Sequence, residues 1–220
     1  MPASRAVSDR YDAIGRGYAA TRREDPRIAR RVHEALGDAR TVVNVGAGTG
    51  SYEPADRYVI ALEPSDAMAA QRQPHRVPPI RASADELPLR DASVDAAMAI
   101  LTLHHWDAAR EQGVRELRRV GGDRVVILTY DARVSAGMWL VADYLPELAE
   151  FDAQIFPTPE ALAGWLGGDV RVEPVPLHRE TSDWMLGSFW AHPERVLDER
   201  ARLRSLDEYD VGLRLVVARR

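Results

Sequence analysis

The chain has 220 residues, a net charge of −5 and a pI near 5.7. Of its residues 45% are hydrophobic and 29% charged, a composition typical of globular proteins. Its charge gives no reason to expect a nucleic-acid partner. The absence of cysteine excludes disulfides, thiolate metal ligands and cysteine nucleophiles. Because no stretch of about 18 apolar residues and no export leader is found, we expect no membrane partner and a cytoplasmic location.

Apolar runs with strand character alternate with helical patterns along the chain. The predicted strands are residues 41–45, 58–62, 80–82, 94–100, 124–129, 170–175 and 213–218. The predicted helices are residues 27–36, 67–73, 108–119, 138–150 and 160–166. Strands separated by helices indicate a mostly parallel sheet, so we expect an α/β fold.

A glycine-rich turn follows the first predicted strand. Gly46, Gly48 and Gly50 alternate with small residues there, and Glu63 ends the second predicted strand. In a parallel sheet these two features lie side by side at the carboxyl edge. Glycine lets a ligand approach bare backbone, and a carboxylate can accept hydrogen bonds from two ribose hydroxyls. The pair therefore predicts a site for a nucleoside-bearing cofactor.

Other glycine-rich motifs fit this turn less well. A nicotinamide fingerprint would place glycine where Ser51 stands, and a phosphate-binding P-loop requires a lysine, which this chain lacks entirely. No G-x-S-x-G hydrolase motif occurs. A nicotinamide-dependent oxidoreductase remains the weaker alternative.

Further segments make the pattern more specific. In chain order they are Ala84-Asp85-Glu86-Leu87-Pro88-Leu89, the apolar run from Asp91 to Leu101, Leu103-His104-His105-Trp106, and Arg115-Glu116-Leu117-Arg118-Arg119-Val120-Gly121-Gly122. Together with the glycine turn they resemble the class I S-adenosylmethionine-dependent methyltransferases, in the small-molecule branch similar to the ubiquinone/menaquinone-biosynthesis type. The resemblance covers roughly residues 40 to 130.

The resemblance implies a Rossmann-like fold with a mostly parallel seven-stranded sheet flanked by helices and a small helical cap. It implies one methyltransferase domain over residues 1–220, with residues 1–131 as the cofactor-binding half and 132–220 as cap and last strands. It implies S-adenosyl-L-methionine as cofactor, whose methyl group passes to the acceptor by in-line displacement. The implied cofactor-binding residues are Tyr18, Gly46, Ala47, Gly48, Gly50, Glu63, Pro64, Ala84, Asp85 and Leu101.

Three residues are the candidates for catalysis, namely His104, His105 and Asp131. The histidines follow the fourth predicted strand and Asp131 follows the fifth, so all three lie near the carboxyl edge. Each has a structural alternative, since a histidine ring can fix the turn and Asp131 can cap the next helix. We expect no metal, because adjacent histidines on a strand-like segment point to opposite faces. Tyr130 and His178 are secondary candidates, and Tyr11 could join Tyr18 at the cofactor.

The second half of the chain is rich in large rings. All five tryptophans follow residue 105. A cap lined by them would suit a small aromatic or apolar methyl acceptor, although the same rings can simply form the core under the cap. We expect a small-molecule acceptor and a monomer or homodimer. The alternative in another functional class is a non-catalytic methyltransferase-like protein that binds the cofactor.

Two departures from the family pattern predict local differences. Seven residues, including Pro54, separate Gly50 from Tyr58, so the first crossover helix must shrink to about one turn. The leucine and proline that usually precede the glycines of the last segment are missing, which predicts a tighter turn from Arg119 to Asp123.

Overall fold

The computed structural model describes residues 23–183, 185–192 and 208–219. The strands are β1 Thr41–Val45, β2 Tyr58–Leu62, β3 Val94–Ile100, β4 Gly121–Tyr130, β5 Asp169–Pro174, β6 Leu177–His178, β7 Glu208–Tyr209 and β8 Leu213–Arg219. The helices are α1 Pro26–Leu36, α2 Asp66–Ala69, α3 Arg110–Val120, α4 Ala132–Ser135, α5 Trp139–Tyr144, α6 Pro146–Ile155 and α7 Pro159–Leu166. Within the described ranges no helix is long and apolar enough to cross a membrane.

The main sheet has six strands in the order β2-β1-β3-β4-β8-β5, and β6 pairs with β7 in a separate ribbon. Strands β1 to β4 are mutually parallel, whereas β8 runs antiparallel to both β4 and β5. The chain passes from β1 to β2, which lies on one side of β1, and then to β3, which lies on the other side of β1. This reversal opens a crevice beyond the carboxyl ends of β1 and β3, where ligands bind in open α/β sheets.

The sheet has six strands in the described residues rather than the expected seven. The predicted strand at residues 80–82 contributes one bridge, between Leu62 and Ile80. Ile80 N–H donates to Ala61 O, and Glu63 N–H donates to Ile80 O. Pro78 and Pro79 precede the bridge and have no N–H to donate, so the ladder does not extend on that side.

The first crossover is shorter than expected. Residues 50–57 form turns without even the single helical turn that we expected. Tyr52 turns the chain with a positive φ of 65°, and its buried hydroxyl donates to Asp183 Oδ2 at 2.7 Å. Helix α2 is also shorter than the predicted 67–73, since it ends at Ala69; Pro74 disfavours helical backbone only at Gln73 and does not account for the earlier end.

Strand β4 begins at Gly121, directly after α3 ends at Val120, three residues earlier than predicted. The expected tight turn is therefore absent. A Cβ on Gly121 would lie 2.9 Å from Arg124 O, and one on Gly122 would lie 2.9 Å from Val94 O. Because larger residues would collide with backbone there, the two glycines allow the strand to start against β3.

Two apolar clusters cover the two faces of the sheet. Helix α1 and the cap helix α5 pack on one face through residues such as Val32, Leu36 and Trp139. Helices α3 and α7 pack on the other through Leu117 and Leu162. The predicted helix 138–150 is divided into α5 and α6, because Pro146 starts a new helix and Leu145 leaves the helical region.

Candidate cofactor and acceptor site

The glycine turn lies at the carboxyl end of β1. Gly46, Gly48 and Gly50 all have positive φ, at 68°, 50° and 88°, a conformation that favours glycine. A Cβ on Gly46 would collide with the side chain of Thr102, whereas one on Gly48 would contact Met68 Cε alone, at 3.4 Å. The turn therefore packs at its start against Thr102, just after β3, and presents open backbone at Gly48. Ala47 between them is buried.

Glu63 lies beside this turn at the end of β2. Its side chain is buried, and the residue is 8% exposed. Oε2 accepts a hydrogen bond from Gly48 N–H at 2.7 Å, and Oε1 accepts one from Ser65 N–H at 2.8 Å. Burial raises the pKa of the carboxyl, although these two amides and the charge of Arg72 oppose the rise. Because each carboxylate oxygen has two lone pairs, each keeps one acceptor position for a ligand hydroxyl.

The segment expected beside the adenine is held by an ion pair. Ala84 is buried and Asp85 is exposed. Glu116 Oε2 accepts from Leu87 N–H at 2.9 Å, and Arg119 donates to Leu87 O at 3.1 Å. The hydrogen bond from Arg119 lowers the pKa of Glu116. Sequence reasoning missed this pair, although its i,i+3 spacing on a helix is typical of ion pairs.

The chain leaves β3 through an unusual backbone conformation. Leu101 has a φ of 52° without being glycine, and such outliers cluster at functional sites. Its N–H donates to Leu128 O at 2.8 Å, which ties the end of β3 to β4. Pro64, which follows Glu63, is half-buried. The glycine turn, Glu63 and Leu101 therefore lie at the carboxyl ends of the neighbouring strands β1, β2 and β3, whereas Tyr11 and Tyr18 lie outside the described residues.

His104 and His105 belong to a 3₁₀ turn, Leu103–His105, after Leu101. Their ring centroids are 3.6 Å apart. The expectation that they point to opposite faces was wrong, because the segment is a 3₁₀ turn rather than a strand. His104 also contacts Phe156 at 5.0 Å between ring centroids. Among the described residues no group of three or more histidines and acids is arranged to hold a metal ion.

Tyr130 adds a further ring at the end of β4. It meets Phe156 edge to face, with ring centroids 5.5 Å apart. Phe156 follows α6 in the cap, so it bridges the ends of β3 and β4. His104, Tyr130 and Phe156 thus form an aromatic group, here called the ring cluster, beyond the carboxyl ends of β3 and β4.

Asp131 caps a helix and pairs with its neighbour. Its Oδ1 accepts from the N–H of Arg133 at 3.1 Å and from Arg133 Nε at 3.0 Å. Burial disfavours the charged carboxylate, but the hydrogen bonds from Arg133 outweigh it and lower the pKa of Asp131. A low pKa and two occupied oxygens make this carboxylate a weak proton acceptor.

The tryptophans mainly build the core. Trp139 and Trp190 are buried in the cluster under the cap, and Trp139 Nε1 donates to Trp190 O at 3.1 Å. Trp106 packs against Gly113, where a Cβ would come within 2.6 Å of its ring. Trp184 lies outside the described residues. His178 accepts a hydrogen bond from Glu180 N–H through Nδ1 and belongs to the separate ribbon of β6 and β7.

Sequence reasoning missed two acids that the structure makes notable. Glu53 is buried beside the glycine turn and pairs with Arg72. Asp152 lies on α6 one turn before Phe156, and burial raises its pKa to about 6. Neither belongs to a periodic pattern or a motif, so the sequence offered no signal for them.

An open groove of about 390 Å³ lies elsewhere, between α1 and the edge strand β5. Its lining carries both charge signs, including the exposed ion pair of Arg31 with Glu173. Strands β3 and β4 lie between β1, from which the glycine turn emerges, and β8, which lines the groove together with β5. The groove is therefore unrelated to the crevice at the carboxyl edge.

Comparison with known proteins agrees with this geometry. Residues 43–125 match the family model described as a methyltransferase domain. The structure resembles a protein assigned as a methyltransferase of an antibiotic biosynthesis pathway from Anabaena variabilis, at 27% identity and a TM-score of 0.76, covering 90% of this chain and 98% of that one. No curated protein matches the chain.

Two more distant structures share the fold. One is an S-adenosylmethionine-dependent methyltransferase from Thermotoga maritima, at 18% identity and a TM-score of 0.64, with 97% and 98% of the two chains covered. The other is a geranyl diphosphate C-methyltransferase from Streptomyces coelicolor, solved with S-adenosyl-L-homocysteine, at 14% identity and a TM-score of 0.54, with 86% and 76% covered.

Proposed function

We propose that this chain transfers a methyl group to a small aromatic or apolar metabolite by in-line displacement. The proposal proceeds from the premise that the chain is a class I S-adenosylmethionine-dependent methyltransferase in fold and family. The domain match and the shared fold support the reaction type. The nature of the acceptor rests on the ring cluster alone.

The observation that carries the proposal is the junction of Gly48 and Glu63. Bare backbone at Gly48 lies within hydrogen-bond distance of a buried carboxylate that keeps free acceptor positions. A vicinal diol fits such a carboxylate, since it can donate to both oxygens. A nucleoside with an intact ribose is the ligand class that uses both features together.

The residues present fit the proposed cofactor. Glu63 would hold the ribose, the open backbone at Gly48 would face the chain that leaves the ribose, and Ala84 with Asp85 would border the base. When bound, S-adenosyl-L-methionine supplies an activated methyl group with a good leaving group, so the protein's task is mainly alignment. Leu101, whose backbone is fixed to β4, would shape the end of the site nearest the acceptor.

The ring cluster is the proposed acceptor side. His104, Tyr130 and Phe156 offer ring faces and edges, which suit a flat or apolar molecule. If the attacking atom carries a proton, His104 and His105 are the groups proposed to receive it, since a neutral imidazole can accept a proton near neutral pH. Asp131 is a weaker choice because Arg133 already occupies its oxygens.

The remaining expectations stay proposals. A small-molecule acceptor is consistent with the acidic net charge of −5, and a monomer or homodimer is the simplest assembly. A cytoplasmic location is proposed on the sequence argument given above.

The decisive experiment is calorimetric titration with S-adenosylmethionine and S-adenosylhomocysteine, with NADH and NADPH as parallel controls. We expect micromolar binding of the two sulfur compounds and none of the nicotinamide cofactors. Binding followed by methyl transfer to members of an aromatic metabolite panel supports an enzyme. Binding without transfer to any acceptor favours the non-catalytic alternative, and no binding refutes the proposal.

A further inference from the structure

A buried ion pair lies directly behind the glycine turn. Arg72 Nη2 donates to both carboxylate oxygens of Glu53, at 2.9 and 2.8 Å. The side chains of Arg72 and Glu53 are 4% and 2% exposed. Asn44, on β1, adds a hydrogen bond from Nδ2 to Glu53 Oε1 at 3.0 Å. The pair is thus anchored to the strand from which the turn emerges.

The same guanidinium also holds the turn itself. Arg72 Nη1 donates to Gly48 O at 3.1 Å and to Ala47 O at 3.3 Å. Its Nε donates to Val77 O at 3.0 Å. All three nitrogens of Arg72 therefore bond to acceptors of the protein, and two of the acceptors are carbonyls of the glycine turn.

Gly48 is consequently held from both sides. Its N–H donates to Glu63, and its carbonyl accepts from Arg72. The turn needs such support because residues 50–57 form turns rather than a helix, so no ladder of helical hydrogen bonds continues from the glycines. A mobile turn would lose conformational entropy on binding a ligand, which weakens affinity.

We propose that Arg72 is a positioning residue for the cofactor, which acts by holding Ala47 and Gly48 in the conformation that accepts the ligand, while Glu53 orients and neutralises its guanidinium. Arg72 itself touches no ligand in this arrangement. The inference rests on the proposed cofactor, and wild-type binding of S-adenosylhomocysteine is therefore the first control.

The charge pair and the turn contacts can be separated by mutation. Arg72→Gln removes both and leaves Glu53 buried without its cation, which is strongly destabilising. The double variant Glu53→Gln/Arg72→Gln removes the charge imbalance but still lacks the hydrogen bonds to Ala47 and Gly48. Arg72→Lys keeps the charge but cannot reach both Glu53 and the two carbonyls. Arg81→Gln is the matched control, because Arg81 is an exposed arginine near α2 that pairs with Asp66.

The measurements are the thermal midpoint and, at a temperature below the unfolding range of every variant, the dissociation constant for S-adenosylhomocysteine. We expect the double variant to regain most of the stability lost in Arg72→Gln, while its affinity stays about tenfold or more below wild type, the scale of one or two lost hydrogen bonds to a charged group. Arg72→Lys should also bind more weakly than wild type, and Arg81→Gln should match wild type in both measurements.

A merely structural role predicts a different pattern. The double variant or Arg72→Lys would then bind S-adenosylhomocysteine as wild type does, and this result would overturn the inference. If Arg72→Gln does not fold, the other two variants still decide. Failure of wild type itself to bind would refute the proposed cofactor, a separate outcome.

Discussion

Replacing Glu63 with glutamine tests the ribose assignment most directly. Glutamine has nearly the same shape but offers one acceptor oxygen and introduces an N–H₂ donor. In the native site Oε1 and Oε2 each accept from a backbone amide. The substituted NH₂ group must therefore face either Gly48 N–H or Ser65 N–H, and it can no longer accept from a ribose hydroxyl.

The magnitude follows from the lost hydrogen bonds. At least one charge-assisted bond to the ligand disappears, worth roughly 1.5–3 kcal/mol. We expect the dissociation constant for S-adenosylhomocysteine to rise by about 30-fold, which corresponds to about 2 kcal/mol. Calorimetric titration at pH 7.5 measures the change. Glu63→Ala should weaken binding by a similar amount.

The matched control is Asp66→Asn, which removes the same charge from an exposed acid at the start of α2. It should bind like wild type. Unchanged affinity in Glu63→Gln, with a native circular dichroism spectrum, would refute the claim that Glu63 holds the cofactor. Equal weakening in both variants would show instead that the effect is one of general charge.

Three further changes follow from the structure. Gly48→Val should abolish cofactor binding in calorimetry, because φ is 50° and the open side of the residue faces the proposed ligand. A folded variant with native affinity would contradict the claim that the backbone of Gly48 faces the cofactor. Burial raises the pKa of Asp152 to about 6, so its carboxylate destabilises the native state by an amount that grows as pH rises from the pKa of the unfolded chain to about 6 and is constant above that. Asp152→Asn should therefore raise the free energy of unfolding at pH 7.5 by about 1 kcal/mol after allowance for solvent screening, seen as a higher thermal midpoint, and the gain should shrink toward pH 4; Glu150→Gln, at an exposed acid of α6, is the control, and a pH-independent gain would be inconsistent with this cause. Tyr52→Phe should lower the urea midpoint by the equivalent of about 1–2 kcal/mol, because the hydroxyl bonds to the buried Asp183; an unchanged midpoint would show that the bond contributes nothing.

Three strands of the cofactor half have the bounds predicted from the sequence. Strands β1, β2 and β3 are mainly apolar runs, as is usual in parallel sheets. Glu63 lies where expected because its place follows from strand order alone. These features depend on local patterns that a single sequence displays.

Other features depend on contacts that local patterns do not encode. Glu53 and Arg72 are 19 residues apart and meet because the turn after Gly50 folds back over α2. The tryptophans could equally line a cavity or form a core, and only the packing of Trp139 and Trp190 decides for the core. By contrast, Pro78 and Pro79 are visible in the sequence, and their missing N–H groups could have shown that the third predicted strand does not extend toward them.

The direct junction of α3 and β4 also determines how the centre of the sheet is aligned. Both faces of β4 are apolar: Val125 and Ile127 pack into one cluster, and Val126 and Leu128 into the other. A slip by one residue would exchange these pairs for others of similar size, so hydrophobic pattern alone specifies the pairing weakly. A side chain at Gly121 or Gly122 would collide with neighbouring backbone, so these two glycines restrict β4 to one alignment, and that alignment sets the position of Tyr130 within the ring cluster.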